Sequence, residues 1–412
     1  MASIVITTAG TLGDYLPYIE LGKALKQQGH DVRCAVGESM FPYVEKANLQ
    51  PVKCSYSLNQ TIAHQNAQDW NELSGLNRFK QPSSEPASQR LQEKLLRQEL
   101  EQVLEDLIPI CETADLLICG YQRTQAGQFI AEKLKLPWVS TSVMPYALEF
   151  LPPSTTAEFF DPNLPIINQI RQTFSLPILS QSEWLNYNHQ QNSRAILVAS
   201  PHFCILNPYY QNYQQVGFWF YQELDWATWQ PDPELQNFMA SEPKPLVLTF
   251  SSLPLQDART VLNLHIRAAI QLGYKLLVQQ GWADFNEDLI SEDSDRTSVL
   301  FRGFMPQDWL FSHASAVIHH GGIGTIARAI RNDCPMVVEP YGNDQFFNAK
   351  QILRLKIGAV MHPQRMTAEG LASVLQHKVL NDQCRQNVQN LGEKIREEDG
   401  LAAACDLITS WL

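Results

Sequence analysis

Short apolar runs alternate along the chain with longer stretches in which apolar residues recur at helical spacing. In the N-terminal half these runs predict strands at residues 4–8, 32–36, 116–119 and 138–140, with a helix at 18–28 after the first. In the C-terminal half they predict strands at residues 246–250, 275–279, 299–301, 316–319, 337–339 and 359–361. Strands separated by helices indicate parallel βαβ units. Two such series predict an α/β protein with two Rossmann-like domains.

The periodic pattern fails between the two series, where Tyr, Gln, Trp and Pro crowd together. Proline restricts the backbone, so this stretch is expected to be a stiff linker. We therefore predict an N-terminal domain at residues 1–208, a linker at 209–244, a C-terminal domain at 245–399 and a final helix at 400–412. Two stretches, residues 56–90 and 145–195, are not part of a minimal Rossmann unit and are interpreted as insertions. Insertions of this kind usually line a cleft.

Composition narrows the class of protein. A length of 412 residues suits two domains of roughly 200 residues each. A net charge of −12 argues against a nucleic-acid partner, because nucleic-acid binders usually carry a basic field. The eight dispersed cysteines, with no C-x-x-C pair, indicate reduced thiols. Neither a signal peptide nor an apolar run of spanning length is apparent, so we expect a cytoplasmic protein without a transmembrane segment.

The most specific chemistry follows the predicted strand 316–319. His319 and His320 precede Gly321-Gly322-Ile323-Gly324-Thr325, which opens directly into a helical pattern. A glycine turn between a strand and a helix exposes backbone N–H groups at the positive end of the helix dipole, which suits a diphosphate. His320 and Thr325 lie beside that point and could add donors. Adjacent strand side chains diverge, so His319 is expected to be structural.

A second polar pair, Asp344 and Gln345, follows the next strand-like run. The loop that carries the pair would return to the same edge of a parallel sheet. There, a carboxylate and an amide can bind neighbouring sugar hydroxyls. A glycine turn alone is weak evidence of a binding site, but a glycine turn followed by Asp-Gln is a much more specific pattern.

At these residues the chain resembles the nucleotide-sugar-dependent glycosyltransferases of family 1. It is most similar to the branch that contains the sterol glucosyltransferases and the glycosyltransferases of antibiotic biosynthesis. The resemblance recurs in the family's order at residues 10–18, 216–220, 248–253, 280–282, 303–311 and 391–400.

The resemblance implies the GT-B fold, in which two Rossmann-like domains face each other across a cleft. It implies an inverting transfer of a hexose, with glucose the expected sugar, from a UDP-sugar to a hydroxyl of an apolar small molecule or lipid. The C-terminal domain would hold the donor and the N-terminal insertions the acceptor, and the final helix would cross back onto the N-terminal domain. No metal or other cofactor is expected. A lipid acceptor would bring transient contact with a membrane surface.

Asp14 is the candidate general base, because sugar transfer to a hydroxyl requires removal of the acceptor proton. It follows Gly13 in a predicted loop after the first strand. The alternative is that Asp14 caps the helix that follows, a common role for aspartate; the family resemblance favours the base. Relatives with a histidine base carry an aspartate after a later strand to orient it. This chain has Cys119-Gly120-Tyr121-Gln122 in that region, which offers no carboxylate to Asp14.

The remaining candidate roles follow from family position and concern the donor. His320, Gly322, Gly324 and Thr325 would hold the diphosphate, and Asp344 and Gln345 the sugar, with Asn348 bracing their loop. Phe304 would stack on the nucleobase, and the backbone of Met305 would form hydrogen bonds with the edge of the base. Gln307 and Trp309 continue this loop, in which Trp309 is expected to be a buried anchor.

Two further positions leave alternatives open. Ser251 and Ser252 are also donor-binding candidates. Ser251 stands where the family commonly has glycine, so its side chain would crowd the diphosphate or add a hydroxyl. Glu339 would bind ribose or cap a helix.

Other functions fit less well. Asp293-Ser294-Asp295 matches an acidic metal motif, but its polar surroundings favour a solvated turn. A catalytically inactive GT-B homologue that acts as a binding or partner protein is the main alternative; retention of Asp14, His320 and Asp344 argues against it. An epimerase would leave the aromatic insertions without a purpose. Gly10-x-x-Gly13 is not the dinucleotide fingerprint of an oxidoreductase.

Overall fold

The structure is a computed structural model, and it describes residues 1–54, 86–145, 163–184, 194–206, 213–222, 228–255, 257–292, 294–342 and 344–412. Most of the two predicted insertions, together with Asp293, lies outside these residues. The described strands are β1 (Ser3–Thr7), β2 (Asp31–Val36), β3 (Gln50–Lys53), β4 (Leu116–Cys119), β5 (Trp138–Ser142), β6 (Ala195–Leu197), β7 (Tyr213–Gln215), β8 (Leu246–Thr249), β9 (Leu276–Gln279), β10 (Val299–Arg302), β11 (Ala316–His319), β12 (Met336–Val338) and β13 (Gly358–Val360).

Helices separate most of the strands. They are α1 (Leu12–Gln27), α2 (Phe41–Lys46), α3 (Pro86–Cys111), α4 (Thr124–Leu134), α5 (Leu164–Thr173), α6 (Pro233–Met239), α7 (Ala258–Gln271), α8 (Gln307–Ser312), α9 (Ile323–Arg331), α10 (Asp344–Leu355), α11 (Ala368–Val374), α12 (Asp382–Glu397) and α13 (Gly400–Trp411). In the described part of the chain, no helix combines the length and apolarity needed to cross a membrane.

The strands form two parallel sheets, which confirms the predicted α/β class. One sheet has the order β3-β2-β1-β4-β5-β6-β7 and the other the order β10-β9-β8-β11-β12-β13. In each sheet the order in which strands are added reverses once. The reversal lies between β1 and β4 in the N-terminal sheet and between β8 and β11 in the C-terminal sheet. Open α/β sheets bind ligands at the carboxyl ends of the strands beside such a reversal. The topology therefore points to one candidate site on each sheet.

Three short strands escaped the sequence pattern. β3 and β7 are largely polar, so no apolar run marks them, and β6 begins at the end of the range 145–195 that was predicted as an insertion. β7 lies inside the range predicted as linker, yet it pairs in parallel with β6 at the edge of the N-terminal sheet. All eight cysteines are buried and unbridged, as the composition predicts.

Helix α1 begins earlier than predicted. The sequence predicts a helix at 18–28, whereas the helix starts at Leu12 and runs through Pro17. A proline near the first turn removes only one intrahelical hydrogen bond, so the helix tolerates it. Asp14 therefore lies in the first turn of a helix and not in a loop.

Alternating aromatic side chains join the two domains. Phe218 and Phe220 pack with the C-terminal core, whereas Trp219 and Tyr221 pack with the N-terminal core. This alternation follows from an extended backbone, whose successive side chains face opposite ways. Helix α13 packs against α1, and Trp219 Nε1 donates to the Gly400 carbonyl at 3.0 Å.

Candidate functional site

The predicted donor residues gather at the carboxyl edge of the C-terminal sheet. Ser251 and Ser252 follow β8, and the glycine turn follows β11, its neighbour across the reversal. The 303–307 loop follows β10, and Asp344 and Gln345 follow β12. The ring of Phe250 packs edge-on against His320 and Tyr341, with centroid distances of 6.4 and 5.6 Å. Residues from four strand ends thus form one surface.

The glycine turn leaves the start of α9 uncovered. Gly321 has φ +98°, and a Cβ there would lie 2.8 Å from Val338 Cγ1. A Cβ on Gly322 would lie 2.8 Å from His320 Nε2, whereas Gly324 faces open space. Only glycine fits the first two positions. The first N–H groups of α9, which have no acceptors within the helix, are therefore not screened by side chains.

His320 lies against this turn in its neutral form. Burial lowers the pKa of His320 to about 4. Its Nδ1 is buried and has no hydrogen-bond partner among the described residues, so the tautomer with the proton on Nε2 avoids an unsatisfied buried N–H. Nε2, which lies beside Gly322, is then the donor. His319 is structural, because its Nδ1 accepts the Gly321 N–H at 3.1 Å.

Asp344 and Gln345 occupy the first turn of α10, whereas the sequence placed them in a loop. The Oε1 atom of Gln345 accepts from the N–H groups of Tyr341 and Gly342 at 2.7 and 3.1 Å, which fixes its amide. Asn348 Nδ2 donates to the Gly321 carbonyl at 2.9 Å and to Asp344 Oδ2 at 3.1 Å. Asn348 therefore braces Asp344 against the glycine turn, as predicted.

The backbone conformation at Ser251 explains why glycine is common at this position in the family. Its φ is +50°, in the left-handed region that side chains disfavour. Its carbonyl accepts the Trp282 N–H at 2.9 Å, and a Cβ on Gly281 would lie 2.2 Å from that carbonyl oxygen. The backbone is thus held in a strained turn beside the predicted diphosphate site.

The 303–307 loop divides into an exposed and a buried part. The side chain of Phe304 is 51% exposed, whereas Met305 and Gln307 are buried. Gln307 Nε2 donates to Gln279 Oε1 at 3.3 Å, so this amide faces the sheet edge. Trp309 packs against Trp229 and stacks on His313, which fits the anchoring role predicted for it.

Asp14 lies at the matching edge of the N-terminal sheet. Its Oδ2 accepts from the Thr11 N–H at 2.7 Å and from Thr11 Oγ1 at 3.2 Å, so the carboxylate does cap α1. Desolvation nevertheless raises the pKa of Asp14, against the opposing effect of its hydrogen bonds. A Cβ on Gly10, where φ is +127°, would lie 2.3 Å from Oδ2. Capping and proton transfer remain compatible, because Oδ1 takes no part in the cap.

The sequence offered no partner for Asp14, but the structure supplies Gln122. Its Nε2 donates to Asp14 Oδ1 at 3.1 Å. The two residues follow β1 and β4, which pair in parallel at the reversal. The signal in the sequence was the position of Gln122 just after a predicted strand, where an amide is less distinctive than a carboxylate.

The two domains bring carboxylates towards each other. Burial raises the pKa of Asp344 to about 7, and the negative charge of Asp14 contributes to that rise. Asp14 follows a strand of the N-terminal sheet and Asp344 a strand of the C-terminal sheet, so this effect acts between the two domains. The candidate base therefore faces the residues predicted to bind the sugar.

Two other groups have structural roles. Glu339 is fully buried, and its Oε1 lies 2.7 Å from His265 Nε2, so neither predicted role fits: it is paired with a helix side chain. Burial opposes the charge on His265, but Glu339 and the hydrogen bonds outweigh it and raise the pKa of the ring. Asp295 caps the short 3-10 turn Arg296–Ser298. Within the described ranges, no three His, Cys, Asp or Glu side chains form a group that would hold a metal ion.

The chain is similar in sequence to one protein family and to several sterol 3-beta-glucosyltransferases. Residues 295–402 match the family described as Erythromycin biosynthesis protein CIII-like, C-terminal domain. The sterol 3-beta-glucosyltransferase UGT80B1 of Arabidopsis thaliana is 26% identical over 98% of this chain and 67% of its own length. Fungal sterol 3-beta-glucosyltransferases match over as much of this chain, which spans only 26–34% of their length.

Solved structures share the whole architecture. The calicheamicin glycosyltransferase CalG4 superposes with a TM-score of 0.75 at 14% identity and covers 100% of this chain and 98% of its own. The glycosyltransferase SsfS6 of Streptomyces sp. SF2575, complexed with thymidine diphosphate, gives a TM-score of 0.65 at 17% identity and full coverage of both chains. The chain therefore has the GT-B fold, its residues 295–402 match the EryCIII-like C-terminal domain, and nearly its whole length is similar in sequence to sterol 3-beta-glucosyltransferases.

Proposed function

We propose that this protein is an inverting glycosyltransferase that moves a hexose from a UDP-sugar to a hydroxyl of an apolar acceptor. The observation that carries the proposal is the placement of two half-sites at the reversal points of two sheets. Asp14 lies on one side, and the glycine turn with His320 and Asp344 on the other. A two-substrate reaction across the cleft uses both.

The C-terminal half-site suits a nucleoside diphosphate as leaving group. Its charge grows as the bond to the sugar breaks, and donors fixed in advance stabilise that charge most effectively. The uncovered N–H groups of α9 and the Nε2–H of neutral His320 are such donors. Because they supply the stabilisation, the proposed mechanism needs no metal ion.

The N-terminal half-site suits activation of a hydroxyl. Asp14 takes the acceptor proton while the acceptor oxygen attacks the anomeric carbon and the bond to the diphosphate breaks. Partial desolvation favours this step, because it raises the proton affinity of the carboxylate. A single displacement from the face opposite the leaving group converts an α-linked donor into a β-glycoside.

UDP-glucose is the proposed donor, with Asp344 and Gln345 contacting its sugar hydroxyls. Support comes from the homologues, which are named as glucosyltransferases. The SsfS6 complex contains thymidine diphosphate, so UDP-glucose and TDP-glucose should be compared directly. We further propose a sterol or similar lipid as acceptor, reached by a cytoplasmic protein that touches the membrane transiently.

The decisive test is mass spectrometry of a lipid extract incubated with the protein and either sugar nucleotide. We expect a new species heavier by one hexose with UDP-glucose. Asp14→Asn should lower product formation by about 10²-fold or more while UDP still raises the melting temperature. Near-normal turnover of that variant would make Asp14 a helix cap alone. Absence of product from every hydroxylated lipid class would refute the lipid acceptor, and absence of any stabilisation by UDP would refute the transferase.

A further inference from the structure

Gln122 holds the candidate base from the neighbouring strand. It lies in the 3-10 turn Tyr121–Arg123, directly after β4, and its Nε2 is 3.1 Å from Asp14 Oδ1. Thr7 of β1 pairs with Cys119 of β4, which brings the two strand ends together. Residues 108 positions apart in sequence therefore meet at the reversal point of the sheet.

The turn that presents Gln122 is fixed by its backbone. The Gly120 N–H donates to the Thr7 carbonyl at 2.8 Å, and the Arg123 N–H closes the turn on the Gly120 carbonyl at 2.8 Å. A Cβ on Gly120 would lie 2.4 Å from Thr8 Oγ1, so glycine permits this close approach. The amide of Gln122 therefore starts from a defined position beside Asp14.

We propose that Gln122 is a positioning residue that orients the Asp14 carboxylate for proton transfer. Thr11 donates twice to Oδ2, whereas Oδ1 accepts only from Gln122 in the described structure. Oδ1 therefore keeps the free lone pair that can take the acceptor proton. A neutral amide does not titrate, so Gln122 aims the carboxylate and relays no proton. This inference rests on the proposed function.

The surroundings of Asp14 make the contact consequential. Asp344 places a second carboxylate across the cleft, and Tyr18 on the same helix stays neutral because burial raises the pKa of its phenol. Thr11 and Gln122 are the neutral donors that stabilise the ionised form of Asp14 against burial. Removing one of them should make Asp14 a worse-oriented and more readily protonated base.

The test compares Gln122→Met, which keeps the chain length without the donor, and Gln122→Glu. Gln102→Met is the matched control, because Gln102 Nε2 makes a similar bond of 3.3 Å to Asp106 on the exposed face of α3. The pH profile of kcat/KM and the melting-temperature shift by UDP are measured for each protein.

We expect Gln122→Met to lower kcat about 3–10-fold and to move the acidic limb of the profile upwards by roughly half to one pH unit. Gln122→Glu should move it further, because two neighbouring carboxylates share one proton. UDP binding should not change in either variant, and Gln102→Met should behave like the wild type. A loss of kcat with an unmoved acidic limb, or a profile identical to that of the wild type, would overturn the proposal.

A direct readout separates this inference from the proposed function. Aspartate labelled with ¹³C at its carboxyl carbon reports the pKa of Asp14, assigned by loss of its signal in Asp14→Asn. We expect a higher pKa of Asp14 in Gln122→Met than in the wild type, whether or not an acceptor has been found. If the wild type transfers no sugar but this pKa shift is present, the proposed function is refuted and the effect of Gln122 on Asp14 is supported. An unshifted pKa in an active enzyme refutes the contact alone.

Discussion

Replacing Asp344 by asparagine is expected to stabilise the ligand-free protein, and more strongly as the pH rises. The pKa of Asp344 is raised to about 7 in the folded state, mainly by burial and then by the charge of Asp14. In the unfolded state it returns to about 3.9. Between these values the folded protein binds a proton that the unfolded chain has released, so stability falls with rising pH. Asparagine removes this loss.

The magnitude follows from the pKa difference. Each pH unit between the two values costs about 1.4 kcal/mol, so the cost grows by about 3 kcal/mol from pH 5 to pH 7 and then stays constant. The Asp344 side chain is partly exposed. Water screening therefore lowers the expected gain of Asp344→Asn between pH 5 and pH 8 to about 1–3 kcal/mol. For the C-terminal domain this corresponds to roughly 2–10 °C in melting temperature.

Scanning calorimetry of the two proteins at pH 5, 6, 7 and 8 measures this difference. Asp257→Asn is the control of opposite sign, because bonds from Thr260 lower the pKa of Asp257. Its substitution should destabilise α7 at pH 8, and the loss should fade as the pH falls. In an Asp14→Asn background, the pH range over which Asp344→Asn stabilises should move downwards. A difference independent of pH would refute the raised pKa, and an unmoved range in the double variant would refute the proximity of Asp14.

Three further substitutions have expected outcomes. His320→Ala should reduce the stabilisation by UDP by about 1–2 kcal/mol without added metal, measured by thermal shift; a strict requirement for Mn²⁺ or Mg²⁺ would contradict the metal-free mechanism. Because the pKa of His320 lies near 4, its contribution should not vary between pH 6 and pH 8. Ser251→Gly should raise stability by about 0.5–1 kcal/mol by relieving a left-handed backbone, with Ser252→Gly as the control; a lower melting temperature would show that the hydroxyl matters more. Asp344→Ala should damage turnover with UDP-glucose far more than affinity for UDP, whereas equal losses would place Asp344 in the fold.

Local sequence patterns were sufficient wherever neighbouring residues decide the structure. The strands β4 and β11 were predicted at their observed bounds, because buried parallel strands are short apolar runs between turn residues. The glycine turn after β11 was recognisable because strand, glycines and helix follow one another directly. The bracing role of Asn348 was expected from family position alone, and its physical basis, a spacing of four residues from Asp344 on α10, appeared only in the structure.

Tertiary structure alone decided the contacts between distant segments. Gln122 meets Asp14 because β4 lies beside β1, and Glu339 meets His265 because α7 packs on the C-terminal sheet. Local periodicity contains no information on strand order or on helix packing. The raised pKa of Asp344 likewise depends on Asp14, which belongs to the other domain. The chain thus specifies its strands and its turn locally, whereas the electrostatics of its cleft arise only when the two sheets face each other.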